Sequence, residues 1–214
     1  LQGFTQKEVV GVTSSSGGRD VVVEPFGSYT VGRVHKDWDK GNTMLGGMFT
    51  STHRWLPGDD ALRALPTDAF TAAVDATHFL GNRSYVIEGR GFFSRISGDA
   101  SAIRALQTNP VHYYQRPEAS HLGVDPNATS LSGHGGMVRF GRSDTSRLRL
   151  TDHFHWYSPG RHLNDVGYLR QADLIANQVF LGWSETTPKG AFRSYSVQLA
   201  REDHGEMMRQ LGIT

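Results

Sequence analysis

Polar and apolar side chains alternate along this chain over stretches much longer than an ordinary strand, and that two-residue period limits its folding more than any other feature. In a strand, successive side chains point to opposite faces, so a segment with one buried or lipid-facing side reads apolar at every second position. In 146–158 the even positions are Leu148, Leu150, Asp152, Phe154 and Trp156, and the odd ones Arg147, Arg149, Thr151, His153 and His155. Asp152 is the one violation. In 84–95 Tyr85, Ile87, Gly89, Gly91 and Phe93 oppose Ser84, Glu88, Arg90 and Ser94, with Val86 and Phe92 breaking the rule. In 69–79 Phe70, Ala72, Val74, Ala76 and His78 alternate with Thr71, Ala73, Asp75 and Thr77, and in 175–184 Ile175, Val179, Leu181 and Trp183 share a face with Asn177.

Turn residues punctuate these runs. Asp39-Lys40-Gly41-Asn42, the two-residue hairpin signal Gly81-Asn82, Arg142-Ser143-Asp144-Thr145 and Pro188-Lys189-Gly190 each join two of them. The reading is about eight antiparallel strands in hairpins, each about 11–14 residues long, against roughly 5–6 in soluble sheets. A membrane-crossing strand needs about 9–11 residues. Two segments are long loops, 55–67 and 97–129. The second holds the best helical stretch, 99–107, capped by Ser97 or Asp99, and weaker helical candidates lie at 59–65 and 206–211.

The expected fold is all-β, one antiparallel long-stranded domain over 1–214 with short helices in its loops. Alternation alone fits either a transmembrane barrel or a soluble sheet with one core face, and Asp152 weighs against lipid. In a barrel, Tyr85, Phe93, Phe154 and Trp156 would belong to aromatic girdles. Eight residues at about 3.3 Å rise separate Tyr85 from Phe93 by roughly 26 Å, close to an apolar band about 25 Å tall. Glu88, Arg90, Arg147, Arg149, His153 and His155 would then line the lumen or hold a ligand. A lipid bilayer, or detergent in its place, is the partner such strands need.

Composition narrows the function. Lys plus Arg is 22 and Asp plus Glu 21, giving net charge +1 and no basic footprint for nucleic acid. No cysteine is present, which excludes disulfides and thiolate chemistry. Glycine is 25 of 214 residues, about 12% against the roughly 7% that is usual, as hairpin-rich sheets require. The chain starts on Leu1 without a secretory signal, which reads as a processed or truncated piece.

The chemical signals are weaker. His153 and His155 share a strand face with His162 nearby, but no third ligand has a signature spacing, so no metal or other cofactor is expected. Ser130-Leu131-Ser132-Gly133-His134-Gly135-Gly136 lacks a GxSxG elbow, and its glycines suit bending or close packing. Among Asp75, Glu88, Asp152, Asp165 and Asp173 no spacing selects a glycosidase pair. No catalytic residue is assigned. Exposed aromatics such as Trp156 leave a soluble carbohydrate-binding β-domain as the first rival reading, and a hydrolase as the second.

Several runs resemble one family. They are Tyr29-Thr30-Val31-Gly32-Arg33-Val34, Phe79-Leu80-Gly81-Asn82-Arg83-Ser84-Tyr85, Tyr113-Tyr114-Gln115-Arg116-Pro117 continuing through His121-Leu122 and Asp125-Pro126 to Thr129-Ser130-Leu131-Ser132-Gly133, and Asn164-Asp165-Val166-Gly167-Tyr168-Leu169-Arg170-Gln171-Ala172-Asp173. In order and spacing they are similar to the C-terminal β-barrel domain of unknown function in bacterial outer-membrane-type proteins labelled carbohydrate-binding family 9 domain-containing. The resemblance covers most of 20–185. It implies part of a larger outer-membrane barrel with a non-enzymatic role, in passage or uptake of a solute, carbohydrate-derived among the candidates, or in support of an exported domain. The alternative location is periplasmic or secreted. It implies no sugar-binding module in this chain, no catalytic residues and no particular oligomeric state. Arg116-Pro117, Asp125-Pro126 and Asn164-Asp165 are expected to fix loop turns.

Overall fold

The computed structural model describes residues 1–14, 17–56, 62–117, 120–144, 147–163, 169–188 and 190–206. It is an all-β protein with one α-helix. The strands are β1 (Gln2–Thr5), β2 (Glu8–Ser14), β3 (Gly17–Glu24), β4 (Phe26–Trp38), β5 (Thr43–Trp55), β6 (Asp68–Leu80), β7 (Tyr85–Ser97), β8 (Ser130–Arg142), β9 (Leu148–Tyr157), β10 (Leu174–Glu185) and β11 (Tyr195–Gly205), with α1 at Ala100–Thr108. Nine strands form one antiparallel sheet in the order β1-β4-β5-β6-β7-β8-β9-β10-β11, and β2-β3 pair as a separate hairpin. From β4 onward every strand pairs with its sequence neighbour, so the sheet is a meander. Its outer strands, β1/β4 on one side and β11 on the other, do not pair with each other among the described residues. The sheet formed by the described residues is therefore open, and they do not close into a barrel.

The eight expected long strands are all present, in register ladders of up to thirteen pairs. The differences lie at their ends. The run before the Asp39-Lys40-Gly41-Asn42 turn, read as one strand over 20–38, divides at Pro25 into β3 and β4, because proline cannot donate to a ladder. The turn read as Gly81-Asn82 is the four-residue 81–84, closed by Leu80 opposite Tyr85 and by the Ser84 amide donating to the Gly81 carbonyl at 3.0 Å. Gly81, Asn82 and Arg83 all take positive φ there, a conformation glycine and asparagine tolerate best. The connection read as 188–190 is longer, since β10 ends at Glu185 and β11 begins at Tyr195. Helix α1 falls where the 99–107 reading puts it, with Asp99 at the N-cap position but making no side-chain cap bond. Of the candidate at 59–65, residues 62–65 are described and form a turn in which the Leu65 amide donates to the Leu62 carbonyl at 3.0 Å, while the candidate at 206–211 lies outside the described residues apart from Glu206.

Connection lengths segregate by end. At one end β4-β5 and β6-β7 are joined by short turns, β8-β9 by 143–147 and β10-β11 by 186–194. At the other end sit the β2-β3 hairpin, the 56–67 and 98–129 connections, and 158–173. That second end carries the only sizeable hydrophobic cluster among the described residues. Ile96, Ile103 and Leu131 are buried there, packed by Ala69, Leu106, Tyr114 and Ala128. Elsewhere the sheet is one layer thick.

Candidate functional site

The register of the sheet sorts the side chains into two faces. On the first, cross-strand partners run Val34, Gly47, Val74, Gly91, Gly136, Trp156 and Ile175. This face exposes Val34, Leu45, Phe49, Val74, Ile87, Val138, Leu181, Val197 and Leu199. Aromatics crowd both ends of its strands. Phe26, Trp55, Phe70, Phe93 and Trp156 stand towards the long-loop end, Trp38, Tyr85, Phe140, Trp183 and Tyr195 towards the short-turn end. Phe26 packs on Trp55 at 4.9 Å between ring centroids, Tyr85 on Phe140 at 5.9 Å, and Phe154 on Trp156 at 6.0 Å. The four expected girdle residues, Tyr85, Phe93, Phe154 and Trp156, all share this face. So do all four tryptophans of the chain.

Polar groups interrupt it in places: His53 pairs with Asp68 at the long-loop end, and a larger island lies on β9 to β11. Asp152 lies opposite Val179, and its Oδ1 accepts a hydrogen bond from Asn177 Nδ2 at 2.7 Å. Beside them Arg201 and Asp203 pair at 2.7 Å. The violation in the β9 pattern is thus absorbed by polar partners on neighbouring strands rather than by a bulge.

The second face is polar. One register row crosses it from β7 to β11 as Glu88, Arg139, His153, Gln178 and Glu202. Arg139 Nε donates to Glu88 at 2.7 Å, and Gln178 Nε2 donates to Glu202 at 3.0 Å. The adjacent row carries Asp75, Arg90, Met137, His155, Ala176 and His204. Arg33 reaches Asp75 at 3.0 Å. Of the six expected lumen or ligand residues, Glu88, Arg90, Arg149, His153 and His155 share this face, and Arg147 sits just before β9 and pairs with Glu185 at 3.1 Å. His153 and His155 stand 5.4 Å apart between ring centroids, but His162 is not with them. It stacks on His112 at 5.5 Å.

The long connections fold over the polar face at their end of the sheet. The 158–162 segment lies directly on β8. His134 N donates to Ser158 Oγ at 2.7 Å, and His162 N donates to Ser94 Oγ at 3.0 Å. A Cβ on Gly133 would collide with the backbone of Gly160 and Arg161, so the glycines of that run serve close packing, as their spacing suggested. His112 is fully buried between the loops. Its Nε2 donates to the Arg161 carbonyl at 2.9 Å, and burial pulls its pKa down to about 4.

Next to it is a charged cluster. Asp173, buried and at positive φ, accepts from Arg116, and His121 Nε2 lies 3.0 Å from the same oxygen. Arg116 Nε also pairs with Glu206 at 2.9 Å. Tyr114 borders the cluster, its hydroxyl pushed up to about 12 by burial first and by the Asp173 charge second. His121, Asp173 and Glu206 could together offer ligand atoms to a cation. The Arg116 guanidinium stands among them and pairs with both carboxylates, as in a structural ion-pair network.

The expected loop motif meets the structure unevenly. Arg116 and Tyr114 are central to this cluster, Pro117 follows it, and Tyr113 is half-exposed at positive φ. Asp125 begins a turn in which Asn127 N donates to its Oδ1 at 2.9 Å, while the Gln107 amide clamps its main-chain N–H and C=O. Asn164 and Asp165 lie outside the described residues. Sequence reasoning missed His112, Gln107 and Arg161. His121 and Asp173 were inside the quoted runs without a role, and only their convergence in space gives them one.

Compared with protein-family models, curated proteins and solved structures, the chain finds no match.

Proposed function

We propose that this chain is a segment of a bacterial outer-membrane β-barrel with a non-enzymatic role in the passage or uptake of a polar solute, belonging to the barrel type that its loop and strand runs resemble. One observation carries the reading: a nine-stranded sheet exposes a largely apolar face with aromatics at both strand ends, while its other face is polar and hydrogen-bonded. Lipid is the solvent in which that arrangement is stable, because a transmembrane barrel turns an apolar band outward between two aromatic girdles. Segregation of short turns and long connections to opposite ends supports the same reading.

The size of the exposed surface argues in the same direction. The chain exposes 13472 Å², against about 9,800 Å² for a compact monomer of this mass. A soluble domain leaves little such apolar area uncovered. In lipid the free edges of the sheet must also be paired, since hydrocarbon cannot satisfy backbone groups. Further strands beside β4 and β11 meet that need.

The test is the behaviour of the purified chain. Monodispersity only in detergent or lipid, with gel migration that changes on heating, is the expected result. A monodisperse monomer in plain buffer would overturn the reading.

A further inference from the structure

The polar face holds a cation to which no described residue supplies a counter-charge. Arg161, 7% exposed, walls a cleft of about 540 Å³ between β9-β11 and the β9-β10 connection. Its guanidinium carbon stands 3.7 Å from the Tyr157 ring centroid and 5.3 Å from that of Phe92. Nη1 donates to the Gln171 carbonyl at 3.4 Å, and Nε is buried with no hydrogen-bond partner. No carboxylate among the described residues pairs with it. Aromatic faces compensate a buried guanidinium only in part, and an anion in the cleft completes the compensation.

The rest of the lining agrees. Arg170, exposed on the loop side, and His155 and His204 on the sheet side line the same cleft. Among the described residues Glu202 is its one acidic residue, and it already accepts from Gln178.

We propose that this cleft binds a small hydroxyl-bearing solute through an oxyanion group, a carboxylate or a phosphate. Arg161 and Arg170 receive the oxyanion, and the Gln178-Glu202 pair with His204 receives hydroxyls. The assignment gives the transported solute a chemical class and to that extent rests on the barrel reading, but the binding itself needs no bilayer. Guanidinium is suited to both anions because its planar donors match either geometry.

Calorimetric titration of the full chain with glucuronate, inorganic phosphate and glucose tests it. Glucuronate and phosphate are expected to bind in competition, with glucose at least about tenfold weaker, the scale of a charged hydrogen bond. Tighter phosphate binding assigns a phosphate ester, and tighter glucuronate binding a sugar acid. Arg161→Gln should abolish acid binding. Arg170→Gln, exposed and harmless to folding, should weaken it about tenfold or more. Equal affinity for glucose and glucuronate, no binding of either acid, or acid binding untouched by Arg170→Gln in a folded chain overturns the proposal. A chain that binds glucuronate without needing detergent removes the barrel reading alone. A detergent-dependent chain that binds neither acid removes this inference alone.

Discussion

His112 stays neutral down to about pH 4 because its ring is sealed between the 98–129 and 158–173 connections. In the unfolded chain it titrates near 6.5. Between those values the unfolded state binds more protons than the folded one, so stability rises with pH across the window and falls as the medium is acidified through it. Across the whole window the loss is roughly 3 kcal/mol, at about 1.4 kcal/mol for each pH unit crossed. Chemical denaturation from pH 7 to pH 4 should show this loss, and His112→Gln should flatten it. An unchanged slope in the variant would assign the effect elsewhere. Asp173 is a buried carboxylate held by Arg116 and His121. Asp173→Asn leaves Arg116 with Glu206 alone and should cost about 3 kcal/mol, the lower range for breaking a buried pair. Faster amide exchange at 112–117 is the local readout.

At the scale of elements, strands β4 to β11 are legible in the sequence because a two-residue period over a dozen residues has no other cheap solution. Both faces could be assigned from it, down to the five residues Glu88, Arg90, Arg149, His153 and His155. Turn lengths were less legible, since Gly81-Asn82 signals a reversal without saying that Arg83 also enters the left-handed region. The loop cluster was not legible at all. His112, His121, Arg161 and Asp173 are joined by chain folding across 49 to 57 positions rather than by any local pattern. Two substitutions probe this scale. Gly133→Ala should lift 158–162 off β8 at a cost of about 1–3 kcal/mol, the range for overpacking, and exchange at His162 N should accelerate. Val74→Lys and Leu181→Lys on the apolar face should each cost about 2–4 kcal/mol in lipid, where Gln178→Lys on the polar face costs little. Equal, small effects on both faces would mean that the apolar face meets water.

The whole molecule poses one question: what covers the apolar face of an open sheet. Its core is at the long-loop end, and among the described residues none packs over the remaining layer on its apolar side. Its polar island at Asp152, Asn177, Arg201 and Asp203 lies beside β11, whose outer edge pairs with no strand among the described residues. The four tryptophans, Trp38, Trp55, Trp156 and Trp183, all stand on the apolar face near strand ends, two towards each end. Reconstitution into vesicles whose lipids carry bromine at defined acyl depths therefore reads directly whether lipid covers that face. Strong fluorescence quenching by shallow bromines and weaker quenching by bromines at the bilayer centre is the predicted result, the pattern of two girdles. Fluorescence untouched by bromine at every depth would place the face outside lipid and contradict the barrel reading.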